Sequence, residues 1–130
     1  MSGQSDDDGW QDAPSAEWPS VKRVLKEAGA VTGSCNEDML GLALSVAAGA
    51  ELYGKVAHLA PLAEELARQV LLFEPFANDN MRGAIFTLRA FLAVNGKRCI
   101  ADDAALAAAL VGPEGALAQE VQEGMRDAKA

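Results

Sequence analysis

Apolar residues recur along this chain at the three- and four-residue spacing of helices, not at the alternating spacing of strands. The clearest stripes are Leu62–Leu66–Val70–Phe73, Ile85–Leu88–Leu92 and Leu117–Val121–Met125. Ser20, Asn36 and Asp102 stand where helices should begin, because their side chains can cap free N–H groups. The pattern predicts helices over 20–28, 36–53, 60–73, 81–95 and 102–110, and a last helix carrying the stripe that ends at Met125.

The segment 81–95 is the most apolar of these and is expected at the centre of the fold. The residues that follow, 97–100, are expected to form a short extended link. The chain has 26 alanines among 130 residues and only 5% aromatic residues, a composition that favours helix over sheet. The predicted fold class is therefore all-α, a compact bundle of about six helices around a buried central helix.

Residues 1–19 differ from the rest in composition. They hold five acidic residues, no basic residue and two prolines, which predicts a disordered acidic tail before a domain at 20–130. Trp10 and Trp18 interrupt this tail. Two interpretations are open for them: each tryptophan packs loosely on the domain, or they form a short acidic-aromatic docking motif.

The net charge of −8 lies largely in that tail, since residues 20–130 hold 14 acidic and 11 basic residues. Neither part has the basic surface that nucleic acids need, and an anionic membrane would repel both. No apolar run approaches the ~20 residues of a membrane span, and the start MSGQSDDD lacks a secretory pattern. We therefore expect a cytoplasmic protein, in which Cys35 and Cys99 are buried free thiols rather than a disulfide.

Four polar residues outside the segment 74–96 or without a motif partner are interpreted as having no role in chemistry. Glu64 and Glu65 fall on the polar side of their helix and are expected in solvent. His58, the only histidine, is expected at the surface because no partner pattern surrounds it. Arg89 is expected to pair with an acidic residue of a neighbouring helix.

A polar loop precedes the most apolar helix, and the segment 74–96 reads EPFANDNMRGAIFTLRAFLAVNG. Phe76, Asn80, Arg82 and the Asn-Gly end of the helix resemble the central motif of the Fic/Doc (filamentation and death-on-curing) family. That motif is His, any residue, Phe, any residue, Asp or Glu, Gly or Ala, Asn, Lys or Gly, then Arg. The resemblance extends over roughly 37–125 and is nearest to the Doc-like branch, which implies a Fic/Doc fold.

The same comparison indicates a degenerate motif. Glu74 stands where the family has its general-base histidine, and Asn78 stands where it has the acid that binds Mg²⁺. Asp79 replaces the small residue, and Met81 replaces the lysine. The resemblance implies that Arg82 contacts nucleotide phosphates and that Asn80 braces the loop and caps the helix.

The charges around the loop both favour and oppose the binding of a phosphate. A helix N-terminus attracts phosphate, and the Arg82 guanidinium would add donors. Glu74 and Asp79 oppose this, because a carboxylate ~5 Å from a phosphate repels it by roughly 3 kcal/mol at an effective dielectric near 20. Arg82 could equally form an ion pair with Glu74 or Asp79.

Three functions follow as hypotheses. The first is a degenerate Doc-like domain of toxin–antitoxin type, a weak or inactive pseudoenzyme that binds a protein, antitoxin-like or a host target, and needs no cofactor. The alternative is an active transferase that moves phosphate or AMP from Mg-ATP to a protein hydroxyl, with Glu74 as base and Asp79 as metal ligand. The second alternative is a structural component of a larger assembly.

Overall fold

Six helices and one pair of short strands form the part of the chain that the computed structural model describes, residues 15–28, 34–53 and 58–128. In chain order they are α1 (Val21–Ala28), α2 (Glu37–Leu52), α3 (Leu59–Phe73), α4 (Asn80–Val94), β1 (Lys97–Cys99), α5 (Asp103–Leu110), α6 (Ala116–Gly124) and β2 (Met125–Asp127). The predicted all-α bundle is confirmed, and the element bounds agree with the predicted ones to within a residue or two except near the C-terminus.

Helices α3 and α4 form the centre of the bundle. They pack against each other, and α3 also contacts α2 and α6, while α4 contacts α1, β1 and α5. Leu66 and Val70 of α3 and Leu88 and Phe91 of α4 are completely buried. The expectation that the most apolar helix is the central one is therefore met by α4, which shares the centre with α3.

Three predicted caps close the helix starts for which they were expected. The Ser20, Asn36 and Asp102 side chains accept N–H bonds from Arg23, Met39 and Ala105, respectively. Each bond satisfies an N–H group that the first helical turn leaves free. His58 precedes α3 without a capping side-chain bond and is exposed, so its prediction as a surface histidine is confirmed.

The last helix ends one residue earlier than predicted. The stripe of Leu117 and Val121 does not continue through Met125, because α6 ends at Gly124 and Met125 begins β2. Strand β1 crosses directly over this point: a Cβ on Gly124 would lie 2.8 Å from the Cys99 Sγ atom. The extended link predicted at 97–100 therefore has a partner strand, which pairs Lys97 with Asp127, Arg98 with Arg126 and Cys99 with Met125.

The start of the domain is also earlier than predicted. Residues 15–20, here called the N-terminal strap, run along the body of the molecule. The Trp18 ring packs against the Phe91 ring with 4.6 Å between ring centroids and 38° between ring planes, and its Nε1 donates to Glu51 Oε1 at 3.1 Å. The backbone N–H of Ala16 donates to Glu51 Oε2 at 2.7 Å. Trp18 thus follows the first interpretation of the two tryptophans, since it packs on the domain.

A second clamp holds the strap to the end of α4. The N–H of Glu17 donates to Asn95 Oδ1 at 2.8 Å, and Asn95 Nδ2 donates back to the Glu17 carbonyl at 2.9 Å. Residues 15–19 of the predicted tail at 1–19 therefore belong to the packed domain. Trp10 and the rest of that prediction lie outside the described residues.

Glu64 is the largest departure from the sequence prediction. Its side chain is buried between α3 and the start of α6, where it accepts N–H bonds from Gly115 at 2.9 Å and Ala118 at 2.8 Å. Arg68 Nε adds a third bond at 3.0 Å. The prediction that Glu64 faces solvent was wrong. The polar pattern of α3 gives no sign that the N-terminus of α6, 51 residues further along the chain, packs against it. Glu65 is only half-buried, as a neighbour of Gln69.

Both cysteines are free thiols, as expected, but only Cys99 is buried. Cys35 is half-buried beside the loop before α2, where burial and then the Glu37 carboxylate raise the pKa of its thiol. Among the described residues, no helix has the length and the apolar character that crossing a membrane requires.

Candidate functional site at the start of helix α4

The motif loop, residues 74–79, joins α3 to α4 and contains most of the positions that the sequence singled out. Glu74 ends α3 in the left-handed conformation at φ 49°, and its N–H donates to the Val70 carbonyl at 2.9 Å. Asp79 begins α4 in the same conformation at φ 56°. Left-handed backbone is uncommon for residues other than glycine, and it turns the chain sharply at both ends of this loop.

Phe76 anchors the loop to the core. Its side chain is 2% exposed, and its ring lies directly against the backbone of Gly83 in the first turns of α4. A Cβ at Gly83 would come within 2.2 Å of the ring, so only glycine fits beneath Phe76. This role of Gly83 was not predicted from the sequence, although a glycine inside an otherwise strong helix often has a packing reason.

Asn80 braces the loop from inside. Its Oδ1 accepts the N–H of Phe76 at 2.9 Å and its Nδ2 donates to the carbonyl of the same residue at 3.0 Å. The capping that the resemblance assigned to Asn80 belongs instead to Asp79. The Asp79 Oδ1 accepts the N–H of Arg82 at 3.1 Å.

A second segment, residues 34–36, lies along the motif loop in an antiparallel bridge between Cys35 and Phe76. The N–H of Asn36 donates to the Pro75 carbonyl at 2.7 Å, and the N–H of Ala77 donates to the Ser34 carbonyl at 2.8 Å. A shallow groove follows this pairing and is lined by residues 34–36 and 74–77. The sequence gave no periodic signal for this contact, because each partner is only about three residues long.

The remaining motif positions are exposed. Glu74, Asn78, Asp79 and Arg82 all present their side chains to solvent around the start of α4. The ion pairs found in the described part of the chain join Arg68 to Glu64, Arg89 to Asp103 and Lys97 to Asp127. The ion pair with Glu74 or Asp79, one of the two alternatives for Arg82, is therefore not among those of the described residues.

Arg89 lies two turns further along α4 and has a structural role. Its Nη2 atom is 2.8 Å from Asp103 Oδ1, which confirms the predicted pairing with an acidic residue of a neighbouring helix. The same guanidinium donates to the carbonyls of Cys99 and Ala101 at 3.0 and 2.8 Å. These bonds fix the chain between β1 and α5, which leaves Arg82 as the arginine that faces solvent at the motif loop.

The chemistry available here follows from these contacts. The Arg82 N–H, one of the donors that a phosphate at the start of α4 would use, is already bonded to the Asp79 carboxylate. The exposed charges are two carboxylates, Glu74 and Asp79, and one guanidinium, Arg82. Nowhere in the described ranges do three His, Cys, Asp or Glu side chains cluster as a metal site would need. The arrangement presents a rigidly held polar surface with a net negative charge.

Comparisons with known proteins leave this site without a relative. No protein-family model, no curated protein and no solved structure matches the chain.

Proposed function

We propose that this chain is a degenerate Fic/Doc-type domain, catalytically weak or inactive, that acts by binding another protein through the motif loop. The main support for the proposal is that the Asp79 carboxylate accepts the N–H of Arg82 at the start of α4, so that this N–H group is not free to bind a phosphate. The framework of the motif is kept, since Phe76 is buried against Gly83 and Asn80 braces the Phe76 backbone. The side chains at the general-base and metal positions, Glu74 and Asn78, differ from the family pattern.

Charge supports the loss of nucleotide binding. A phosphate at the start of α4 would have to displace the Asp79 carboxylate from the Arg82 N–H and would then lie beside it. One carboxylate ~5 Å away costs roughly 3 kcal/mol at an effective dielectric near 20, which is more than a hundredfold in affinity. The Arg82 guanidinium is exposed and opposes only part of this repulsion.

The metal position supports the same proposal. In the family pattern an acid supplies a charged oxygen to Mg²⁺, whereas Asn78 offers only a neutral amide oxygen. Mg²⁺ in nucleotide sites is usually held by one or two carboxylates together with phosphate oxygens. Asp79 could serve only by giving up its bond to the Arg82 N–H, which would uncap α4.

Protein binding is supported by the rigidity of the exposed loop. Residues 74–79 are tied to the core by Phe76, to α4 by Asn80 and to residues 34–36 by two backbone bonds. A surface that is already ordered loses little conformational entropy when a partner binds. The partner would be an antitoxin-like protein or a host target that complements two carboxylates and one guanidinium.

The nucleotide part of the proposal is tested by restoring the motif. Wild type should bind no Mg-ATP in titration calorimetry, whereas the triple variant Glu74→His, Asn78→Asp, Asp79→Gly, which also removes the carboxylate from the start of α4, should bind it. Adding Arg82→Ala should abolish that gain, while adding Arg98→Ala, an exposed arginine of β1, should not. A triple variant that folds but binds no nucleotide would contradict a Fic-type site.

The enzyme alternative gives the opposite result with wild type. An active transferase would pass radiolabel from ATP to a protein, and Glu74→Ala would lower that transfer by ~10²–10⁴-fold, the usual contribution of a general base. The proposal expects no transfer by either protein. Transfer by wild type that is lost in Glu74→Ala would replace the proposal by the transferase.

The binding part needs a separate experiment. A stoichiometric partner captured by wild type should be lost in the double variant Glu74→Lys, Arg82→Glu, which inverts the charges on the loop. It should be kept by Gln119→Lys, Glu123→Lys, exposed positions on α6. Loss with the α6 variant and retention with the loop variant would indicate instead a structural component held through another surface.

A further inference from the structure

The side chain of Asn95 holds the N-terminal strap at the end of α4 with both halves of its amide. Oδ1 accepts the N–H of Glu17 at 2.8 Å. Nδ2 donates to the Glu17 carbonyl at 2.9 Å and to the Phe91 carbonyl at 2.8 Å. An ionised carboxylate at this position could still accept the first bond, but it has no hydrogen with which to make the other two.

A carboxylate at position 95 would also meet another negative charge. The N–H of Ala16 donates to Glu51 Oε2 at 2.7 Å, so Glu51 and Asn95 bind consecutive N–H groups of the strap. Conversion of the Asn95 amide into a carboxylate would place two like charges on neighbouring backbone groups, where they repel each other. The same carboxylate would face two carbonyl oxygens without a hydrogen between them. The hold of α4 on the strap therefore depends on the uncharged amide.

The residue after Asn95 makes this conversion chemically accessible. Gly96 has no side chain to shield its backbone nitrogen, and glycine has the widest conformational freedom of all residues. Its nitrogen can attack the side-chain carbonyl carbon of Asn95: a C–N bond forms, the amide nitrogen leaves as ammonia with the proton of the Gly96 N–H, and a succinimide ring remains. Water then opens the ring at either carbonyl, which gives aspartate or isoaspartate. The other asparagines of the chain precede larger residues that hinder this attack; they are Asn36, Asn78 and Asn80.

The strap opposes the attack while it is bound. Its two bonds to Asn95 keep the amide turned toward Glu17, whereas the reaction needs the amide to turn toward Gly96. The Gly96 N–H is itself bonded to the Ala93 carbonyl at 3.0 Å, so the last turn of α4 must also open. Helix ends open more readily than helix centres, and the strap is tied to this end. Detachment of the strap therefore removes a barrier to the reaction.

We propose that Asn95–Gly96 is a deamidation site that the N-terminal strap protects, and that deamidation of Asn95 detaches the strap. Detachment would uncover Phe91, a completely buried residue against which the Trp18 ring packs. Water alone does not reverse the reaction, so a strap that has opened long enough would stay detached. This inference does not depend on the proposed function, since the motif loop takes no part in it.

The first measurement is the rate of deamidation in the full chain. Peptide mass spectrometry during incubation in mildly alkaline buffer resolves the gain of one mass unit at each asparagine. We expect Asn95 to convert before the other asparagines, and to convert severalfold faster in Trp18→Ala, which loosens the strap. Val121→Ala is the matched control, because it removes a buried side chain from α6 instead. The rate at Asn95 in this variant should stay close to that of wild type.

The second measurement is the attachment of the strap. In a Trp10→Phe background Trp18 is the remaining tryptophan, so the fluorescence reports its contact with water. Deamidated protein, separated by anion exchange through its added negative charge, should emit at longer wavelength than unmodified protein, and so should Asn95→Asp. Asn78→Asp makes the same chemical change at an exposed asparagine and should leave the emission unchanged. Melting followed by circular dichroism shows that both variants are folded.

Three results would overturn the proposal. Conversion of Asn95 no earlier than the other asparagines would mean that the Asn-Gly pair is not a modification site. Equal rates in wild type and Trp18→Ala would mean that the strap gives no protection. Unchanged Trp18 emission in fully deamidated protein would mean that the strap does not depend on the Asn95 amide.

Discussion

Asp79 and Glu64 are two of the carboxylates that cap the first turn of a helix in this molecule, and their settings are opposite. Asp79 caps α4 from the adjacent position, is exposed and accepts one N–H bond, from Arg82. Glu64 caps α6 from α3, is buried and accepts N–H bonds from Gly115 and Ala118. The local cap shapes a surface loop, whereas the distant cap joins two helices that are far apart in sequence.

The comparison separates stability from function. A buried carboxylate that accepts several bonds is costly to remove, because its partners lose their only acceptor away from water. Removing an exposed cap typically costs only about 1 kcal/mol. The contact of Glu64 with the start of α6, here called the Glu64 junction, should therefore contribute more to the stability of the fold than the Asp79 cap of the motif loop does.

Removing the Glu64 carboxylate should have the largest effect. Glu64→Ala leaves the Gly115 and Ala118 N–H groups and the Arg68 guanidinium without their acceptor. We expect the free energy of unfolding to fall by about 3 kcal/mol, as for other broken buried pairs. Urea denaturation measures it. Glu65→Ala is the control and should cost less than about 0.5 kcal/mol, since the side-chain bond of Glu65 within the described ranges is the one from Gln69. Equal losses for the two variants would contradict the distinction between the two caps.

Stability should depend more on the contact of Phe76 with Gly83 than on the exposed charges of the motif loop. Gly83→Ala places a methyl group within 2.2 Å of the Phe76 ring, so the ring or the helix must move. Overpacking of this kind usually costs about 1–3 kcal/mol. Thermal unfolding measures the loss, and Gly49→Ala in α2 is the matched control. The new Cβ there would lie 4.0 Å from Tyr53, an ordinary contact, and alanine should stabilise the helix by about 0.5–1 kcal/mol. Stabilisation in both variants would mean that Phe76 does not pack on Gly83.

Acid should weaken the Glu64 junction selectively. Burial by itself would raise the pKa of Glu64, but the N–H bonds from Gly115 and Ala118 and the nearby Arg68 outweigh it and lower the pKa below its ordinary 4.5. A lowered pKa in the folded state means that the carboxylate stabilises the fold above about pH 4.5 and stops doing so as the pH falls through the folded value. The stability difference between wild type and Glu64→Gln should therefore be constant above pH 5 and shrink below it. A difference that grows on acidification would reverse the sign of this linkage.

The same two regions show how far the sequence alone predicts the structure. Local signals were sufficient for the helices, because Asn36 and Asp102 cap residues only three positions away. They were insufficient for Glu64, whose partners lie 51 and 54 positions along the chain. In the candidate site, the motif predicted the bracing by Asn80 but not the close contact of Phe76 with Gly83. Contacts between elements depend on packing geometry, which a one-dimensional pattern does not contain.

The smallest effect is expected from neutralising the exposed cap. Asp79→Asn keeps an oxygen for the Arg82 N–H, and asparagine adopts the left-handed conformation of this position readily. Only the attraction between the charge and the N-terminus of α4 is lost, which should cost about 0.3–1 kcal/mol at low salt and less at 1 M salt. Urea denaturation at the two salt concentrations measures this, with Asp79→Ala as the control. Alanine also removes the capping oxygen and tolerates the left-handed backbone poorly, so its loss should be about 2 kcal/mol and should persist at high salt. If Asp79→Asn were as damaging as Asp79→Ala at both salt concentrations, the charge itself would be holding the loop, and the motif loop would be as structural as the Glu64 junction.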